Sequence, residues 1–250
     1  MKPVCIVRFA ATEGPAWFAD WLDGEGIPRT EIRIDRGDAV PADASEFSGL
    51  AMMGGPMSVN DPLPWIEPML GLIRDADARN VPVIGHCLGG QLMSRAFGGT
   101  VSRNRMGNVP TQEIGWSSVN PTDTPEARDW FGDAEQLTVF QWHGETFSIP
   151  PGAVRLASNE LCANQAFVRG PHLAMQFHVE MDEPTIASWC DNGATEIADA
   201  HARGDTLAVQ APSAILTLTG ERLPQMRRDV SERVYRRWAQ GLEARVAPAA

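Results

Sequence analysis

The stretch VPVIGHCLGGQ, residues 81–91, decides the fold. Residues 81–84 form a short apolar run rich in valine and isoleucine, the pattern of a strand buried on both faces. The run stops at Gly85, Cys87 follows at a sharp strand-to-helix turn, and Gly89 opens a helix. G-x-C-x-G is the thiol counterpart of the G-x-S-x-G nucleophile elbow. Such a turn is strained, and the small residues Gly85 and Gly89 relieve its crowding. It lifts the thiol above the carboxyl edge of a sheet, where open α/β sheets bind their ligands. The helix N-terminus behind Cys87 favours a thiolate and offers backbone N–H groups to an oxyanion. A lone cysteine is more often buried and inert. The two glycines after a buried strand are what point here to a nucleophile.

Working outward, residues 4–10 and 30–34 read as strands, and residues 50–53 as a strand ending at Gly54-Gly55-Pro56. Residues 14–24 place Trp17, Phe18, Trp21 and Leu22 on one helical face, and residues 65–78 are a second helix. This β-α-β alternation predicts a parallel sheet covered by helices. Farther on, strand-like runs crowd together at 99–101, 113–119, 137–142, 154–157, 165–168 and 173–177, with one helix near 126–131. They predict antiparallel hairpins added to the parallel sheet. Asp182 and Pro184 start a single helix over 184–202. In residues 223–246, Val230, Val234, Trp238 and Leu242 recur every four residues, as in one amphipathic helix. Residues 207–218 fit either a strand pair or part of that cover, and residues 248–250 read as a frayed tail. The expected fold is thus α/β, a mostly parallel central sheet flanked by helices with added antiparallel strands. Residues 1–204 form the main domain and 205–250 a helical extension packed on it.

Composition narrows the function. The chain has 250 residues, with 21 basic against 32 acidic side chains and a net charge of −11. That argues against nucleic acid or an anionic membrane as partner. Lys2 is the only lysine, so neither a buried Schiff-base lysine nor a GK[ST] phosphate loop is available. Cys5, Cys87, Cys162 and Cys190 contain no CxxC pair, which speaks against a zinc knuckle or a dithiol motif. No signal-peptide pattern or long apolar run is evident. The expectation is a cytoplasmic protein with reduced thiols.

A thiol nucleophile needs a base, and the base needs an orienting group. His86 adjoins Cys87 and points to the opposite face in extended geometry. His172 reads as a turn residue and His201 as solvated. His143 and His178 remain. His178 ends an apolar run, and Glu180 shares its face two residues on. An isolated H-x-E is usually a surface pair; beside the elbow it becomes a base with its carboxylate.

GHCLGGQ and QFHVE together resemble the class I (triad) glutamine amidotransferase domain. Gly85, Cys87, Gly89 and Gln91 match its nucleophile motif, and His178 with Glu180 its H-x-E motif. Gly54-Gly55-Pro56 matches its Gly-Gly turn, and His143-Gly144-Glu145 its His-Gly-acid turn. The four motifs follow the family's order across about residues 4–190. The resemblance implies a flavodoxin-like amidotransferase fold and specific roles. Cys87 attacks the glutamine amide, His178 is the base and then the acid, and Glu180 holds His178. The N–H groups of Gly55 and Leu88 form the oxyanion hole. Gly54, Gln91 and the turn of Trp142, His143, Gly144 and Glu145 bind the glutamyl unit. In that reading His143 either shapes the substrate turn or is structural. No metal or organic cofactor is implied.

GGPMSVND, PWI and WHGETF are most similar to the stand-alone GMP-synthase-like group, which also resembles plant γ-glutamyl peptidases. Three functions follow as alternatives. The first is a hydrolase of glutamine or γ-glutamyl amides, releasing glutamate and ammonia or an amine. The second is an amidotransferase subunit active only with a synthase partner protein. The third is a non-catalytic binding or regulatory module.

Overall fold

The computed structural model describes residues 1–205 and 207–243. The first half alternates as expected: β1 (Val4–Arg8), α1 (Ala16–Gly24), β2 (Arg29–Arg33), β3 (Gly49–Met52), α2 (Ile66–Ala78), β4 (Val83–His86) and α3 (Leu88–Ala96). Two short hairpin elements and an excursion follow in β5 (Val101–Arg103), β6 (Arg105–Met106) and β7 (Val109–Pro110). Next come β8 (Glu113–Pro121), α4 (Pro125–Phe131), β9 (Leu137–His143), β10 (Glu145–Phe147), β11 (Val154–Ser158), β12 (Ala166–Arg169) and β13 (His172–Met175). Helices α5 (Glu183–Asn192), α6 (Ala194–Ala202), α7 (Pro212–Met226) and α8 (Glu232–Glu243) follow, the last two joined by a π-turn at Arg227–Ser231.

Nine strands form one sheet in the order β2-β1-β3-β4-β13-β12-β11-β8-β9. The pairs from β2 to β13 are parallel, and those from β13 to β9 antiparallel. The mixed sheet flanked by helices is therefore the predicted architecture. Strand alternation divides the core in two. Val4 and Ile6 of β1 face one layer with α1, α4, α5, α7 and α8; Cys5 and Val7 face the other, with α2 and α3. The same alternation sends Gly85 toward α3 and His86 toward α1 and α8.

Glycines let α3 lie close to the sheet. A Cβ on Gly85 would stand 2.6 Å from the Gly89 backbone, and one on Gly90 2.7 Å from the Met175 carbonyl oxygen. On the opposite face, Val234, Tyr235, Trp238 and Leu242 of α8 are buried. Trp238 and Leu242 pack where a side chain on Gly49 would otherwise sit. Each such fully buried apolar side chain contributes roughly 1.5–3 kcal/mol.

Several element boundaries differ from expectation. The single helix over 184–202 is two, broken at Gly193, because the Trp142 ring occupies the space a side chain there would need. The Asp182 cap is present and accepts from the Thr185 N–H at 2.8 Å. The helix read over 223–246 begins earlier, at Pro212, runs through Pro224 and is interrupted by the π-turn. Residues 244–246 and the tail 248–250 lie outside the described residues. The ambiguous segment 207–218 is mostly α7, although Val209 bridges to Ile114 of β8. The run 99–101 contributes only Val101 to a strand, β5, which pairs with β10 away from the main sheet.

Candidate active site

The chain makes β1, crosses to β2 on one side and returns to β3 on the other. This reversal opens a crevice at the carboxyl ends of β1 and β3. The loops after β1, β3 and β4 meet there around a cleft of about 500 Å³. Its wall includes Glu13, Gly55, Cys87, Gln91, Trp142, His143, Gly144 and Glu145.

Cys87 sits between β4 and α3 with φ +48° and ψ −107°. Non-glycine residues rarely adopt this conformation, which costs about 1–3 kcal/mol. The Cys87 N–H donates to the Met175 carbonyl at 2.9 Å, anchoring the turn to β13. Around Sγ stand the Trp142 carbonyl at 3.8 Å and Gln176 Nε2 at 3.5 Å. As the first residue of α3, Leu88 has no intrahelical acceptor for its N–H. Among the described residues, neither this N–H nor that of Gly55 has a hydrogen-bond partner. The two residues are neighbours, since a Cβ on Gly55 would stand 2.6 Å from Leu88 Cδ2.

His178 lies behind the wall and is almost wholly buried. Its backbone exchanges two hydrogen bonds with Phe140 of β9, at 2.8 and 3.3 Å. Its ring stacks edge-on to Trp189 with centroids 4.8 Å apart. Nδ1 is 2.5 Å from Glu180 Oε1, while Nε2 is buried without a hydrogen-bond partner. Burial pushes the imidazolium pKa down, but the Glu180 charge and the neighbouring Cys87 thiol outweigh it, leaving it well above its usual range. Burial likewise opposes the Glu180 carboxylate, yet chiefly the His178 charge and its hydrogen bond pull its pKa to about 2. Nε2 is thus the free nitrogen of a ring whose other nitrogen Glu180 holds.

The other predicted site residues divide by position. Gln91 Nε2 reaches the Glu145 carbonyl at 3.4 Å and Gln176 Oε1 at 3.3 Å, tying α3 to the 142–145 turn. His143 holds that turn from inside. Nδ1 bonds the Glu145 carbonyl at 3.0 Å, and Nε2 meets buried Glu113 at 3.1 Å. With both ring nitrogens occupied, His143 serves the turn's shape. Gly54 lies behind the wall, its missing side chain leaving room for Glu13 and His178.

Comparison with known proteins agrees with this geometry. Residues 28–195 match the family Glutamine amidotransferase class-I. The chain belongs to the class-I glutamine amidotransferases. A solved structure of a glutamine amidotransferase from Methylobacillus flagellatus is 46% identical, with a TM-score of 0.91 over 96% of this chain and 95% of that one. The glutamine amidotransferase-like protein YfeJ of Salmonella typhimurium is 27% identical over 80% of this chain and 84% of its own. Gamma-glutamyl peptidase 3 of Arabidopsis thaliana is 28% identical over 58% of this chain and 59% of the peptidase. The chemistry of this family is hydrolysis of glutamine or γ-glutamyl amides.

Several residues of this amidotransferase site escaped sequence reasoning. Gln176 connects Gln91 to the thiol. It precedes His178 by two positions, and that spacing was the available signal. His86 does face away from Cys87, but its Nε2 lies 3.8 Å from Glu180 and 3.3 Å from the Tyr235 hydroxyl of α8. The Ser231 hydroxyl donates to the Val179 carbonyl at 2.7 Å, and Arg227 to that of Met181 at 3.1 Å. The π-turn between α7 and α8 therefore braces the irregular segment after β13 that bears His178 and Glu180. His172, read as a turn residue at the start of a strand, does begin β13 but is buried; its Nδ1 accepts from the Val83 N–H at 3.2 Å. His201, read as solvated, is half-buried and bonded to the Val209 carbonyl at 2.7 Å.

Proposed function

We propose that this amidotransferase hydrolyses the γ-amide of glutamine or of a γ-glutamyl compound through a γ-glutamyl thioester on Cys87. The supporting observation is the juxtaposition, at one cleft, of a strained elbow thiol and a buried imidazole held by a carboxylate at 2.5 Å. The Cys87 thiolate attacks the amide carbon, and the carbonyl oxygen takes up negative charge facing the Gly55 and Leu88 N–H groups. Collapse breaks the C–N bond, and His178 Nε2 gives its proton to the departing ammonia or amine. Water then attacks the thioester and yields a proton to His178. The C–S bond breaks, releasing glutamate and restoring the thiolate. Glu180 stabilises the imidazolium throughout.

In this reading Gln91 and the 142–145 turn hold the glutamyl end. Residues 1–204 carry the amidotransferase unit, and the extension from 205 onward covers and braces it through its described helices α7 and α8. Cytoplasmic placement accords with four free cysteines. Among the described residues, no helix is long and apolar enough to cross a membrane.

The test is glutamate release by the purified full chain from glutamine and γ-glutamyl dipeptides, with Cys87→Ala as control. Release lost in the variant is the expected result. No release from any compound contradicts autonomous hydrolysis and directs attention to a synthase partner.

A further inference from the structure

Glu13 plays no part in the steps above, yet it occupies the crevice where those steps would occur. It sits on the loop between β1 and α1, at the point where the strand order reverses. The loop is held at both ends of this short stretch. Trp189 Nε1 donates to the Thr12 carbonyl at 2.9 Å, the Glu13 N–H donates to Ala10 at 3.2 Å, and the Trp17 N–H donates to Glu180 at 2.8 Å. The side chain has been given room: a Cβ on Gly54 would stand inside contact distance of the Glu13 carboxylate and 3.0 Å from His178 Cε1. The carboxylate and the imidazole edge therefore flank one small space. Within the described residues, no hydrogen bond or ion pair satisfies the Glu13 carboxylate, although it lies on the cleft wall.

The surroundings indicate the sign of the missing partner. Among the described residues, the cleft wall carries Glu13, Asp61, Glu145 and Glu196 against one arginine, Arg103. Glu196 is already engaged, accepting from Gln112 at 2.7 Å and from the Trp142 indole at 3.0 Å. Burial pushes the Glu13 carboxyl up to about 7, with His178 drawing it down and Glu180 pushing it further up. A carboxyl in that condition gains from a cation that restores its ionised form.

Position supplies the rest, and here the inference rests on the hydrolysis proposed above. The glutamyl end of the substrate runs from Cys87 toward Gln91 and the 142–145 turn. The leaving nitrogen departs toward His178, on the Glu13 side. We infer that Glu13 is the recognition carboxylate of a leaving-group subsite, and that the preferred substrates are γ-glutamyl amides of diamines, whose free ammonium group seats on Glu13. The reaction consumes one γ-glutamyl diamine and one water, and yields glutamate and the diamine.

The test compares two amides of the glutamate γ-carboxyl, N-(4-aminobutyl) and N-pentyl, alike in length and different in charge. With the full chain, kcat/KM should favour the aminobutyl amide by about tenfold or more, the range of a charge-assisted hydrogen bond. In Glu13→Gln that ratio should fall to about one. A wild-type ratio near one overturns the inference without needing the variant, and so does a ratio that survives in Glu13→Gln. Either leaves γ-glutamyl hydrolysis standing. Calorimetric binding of both amides to the wild-type chain separates the two proposals. Charge-dependent affinity lost in Glu13→Gln, with no turnover, supports the subsite and contradicts the hydrolysis. Absence of both binding and turnover overturns the subsite as well.

Discussion

Cys87 combines a place on the cleft wall with an unfavourable backbone. Its φ of +48° is accepted because β4, β13 and α3 fix the turn from three sides. The site thus stores strain that a glycine would release. Cys87→Gly and Cys87→Ala should both abolish glutamate release. The glycine variant should unfold at the higher urea concentration, by about 1 kcal/mol of stability; an alanine variant of equal or greater stability would contradict a strained elbow. The elbow was legible in sequence because strand, turn and helix are local. His178 and Glu180 were legible from their H-x-E spacing after an apolar run, although β13 stops at Met175 and the pair meets on an irregular segment bridged to Phe140. Glu13, Glu113 and Tyr235 were not, because each reaches its place only through pairing or packing across long stretches of chain.

At the scale of elements, the approach of α3 to the sheet positions both the thiol and Gln91. Gly90 has no room for a Cβ beside the Met175 carbonyl, which is backbone and cannot rotate away. Gly90→Ala should therefore destabilise the fold by about 1–3 kcal/mol, the cost of overpacking a filled core, read as a lower urea midpoint. An unchanged midpoint would mean that α3 is less tightly seated than described here. The parallel half of the sheet was readable from its β-α-β rhythm. The helix ends of the C-terminal half were not. Gly193 breaks a helix on account of Trp142, some fifty positions away in the chain, and the π-turn before α8 follows Pro224 in a segment whose apolar spacing alone suggested continuity.

For the whole molecule, buried ionisable groups set the pH range of stability. Burial holds His172 neutral and lowers its pKa from 6.5 to about 4, against the pull of Asp77. Burial likewise lowers that of His86, against Glu180. For both, the unfolded chain takes up the proton first, so stability present above pH 6.5 is lost as pH falls. Glu180 acts lower: its contribution is complete above 4.5 and is lost as pH falls toward about 2. His178 has the opposite sign, since its raised pKa contributes below 6.5 and the contribution is lost as pH rises. His178 and Glu13, whose carboxyl is pushed up to about 7, act in the opposite sense over this range, so the prediction is a difference: His172→Gln should lose less melting temperature than the wild type between pH 6.5 and 4, and an identical slope would remove His172 from the account. The proposed function rests on one arrangement, a thiol at a crevice with an imidazole and its carboxylate behind the wall. The most direct test of that arrangement is the covalent intermediate itself. Acid-quenched mixtures of the full chain with glutamine, digested and weighed by mass spectrometry, should show one glutamyl group on the peptide containing Cys87. The group should be removed by hydroxylamine and absent from Cys87→Ala. Glutamate release undiminished in Cys87→Ala, or a glutamyl group on another residue, would contradict it.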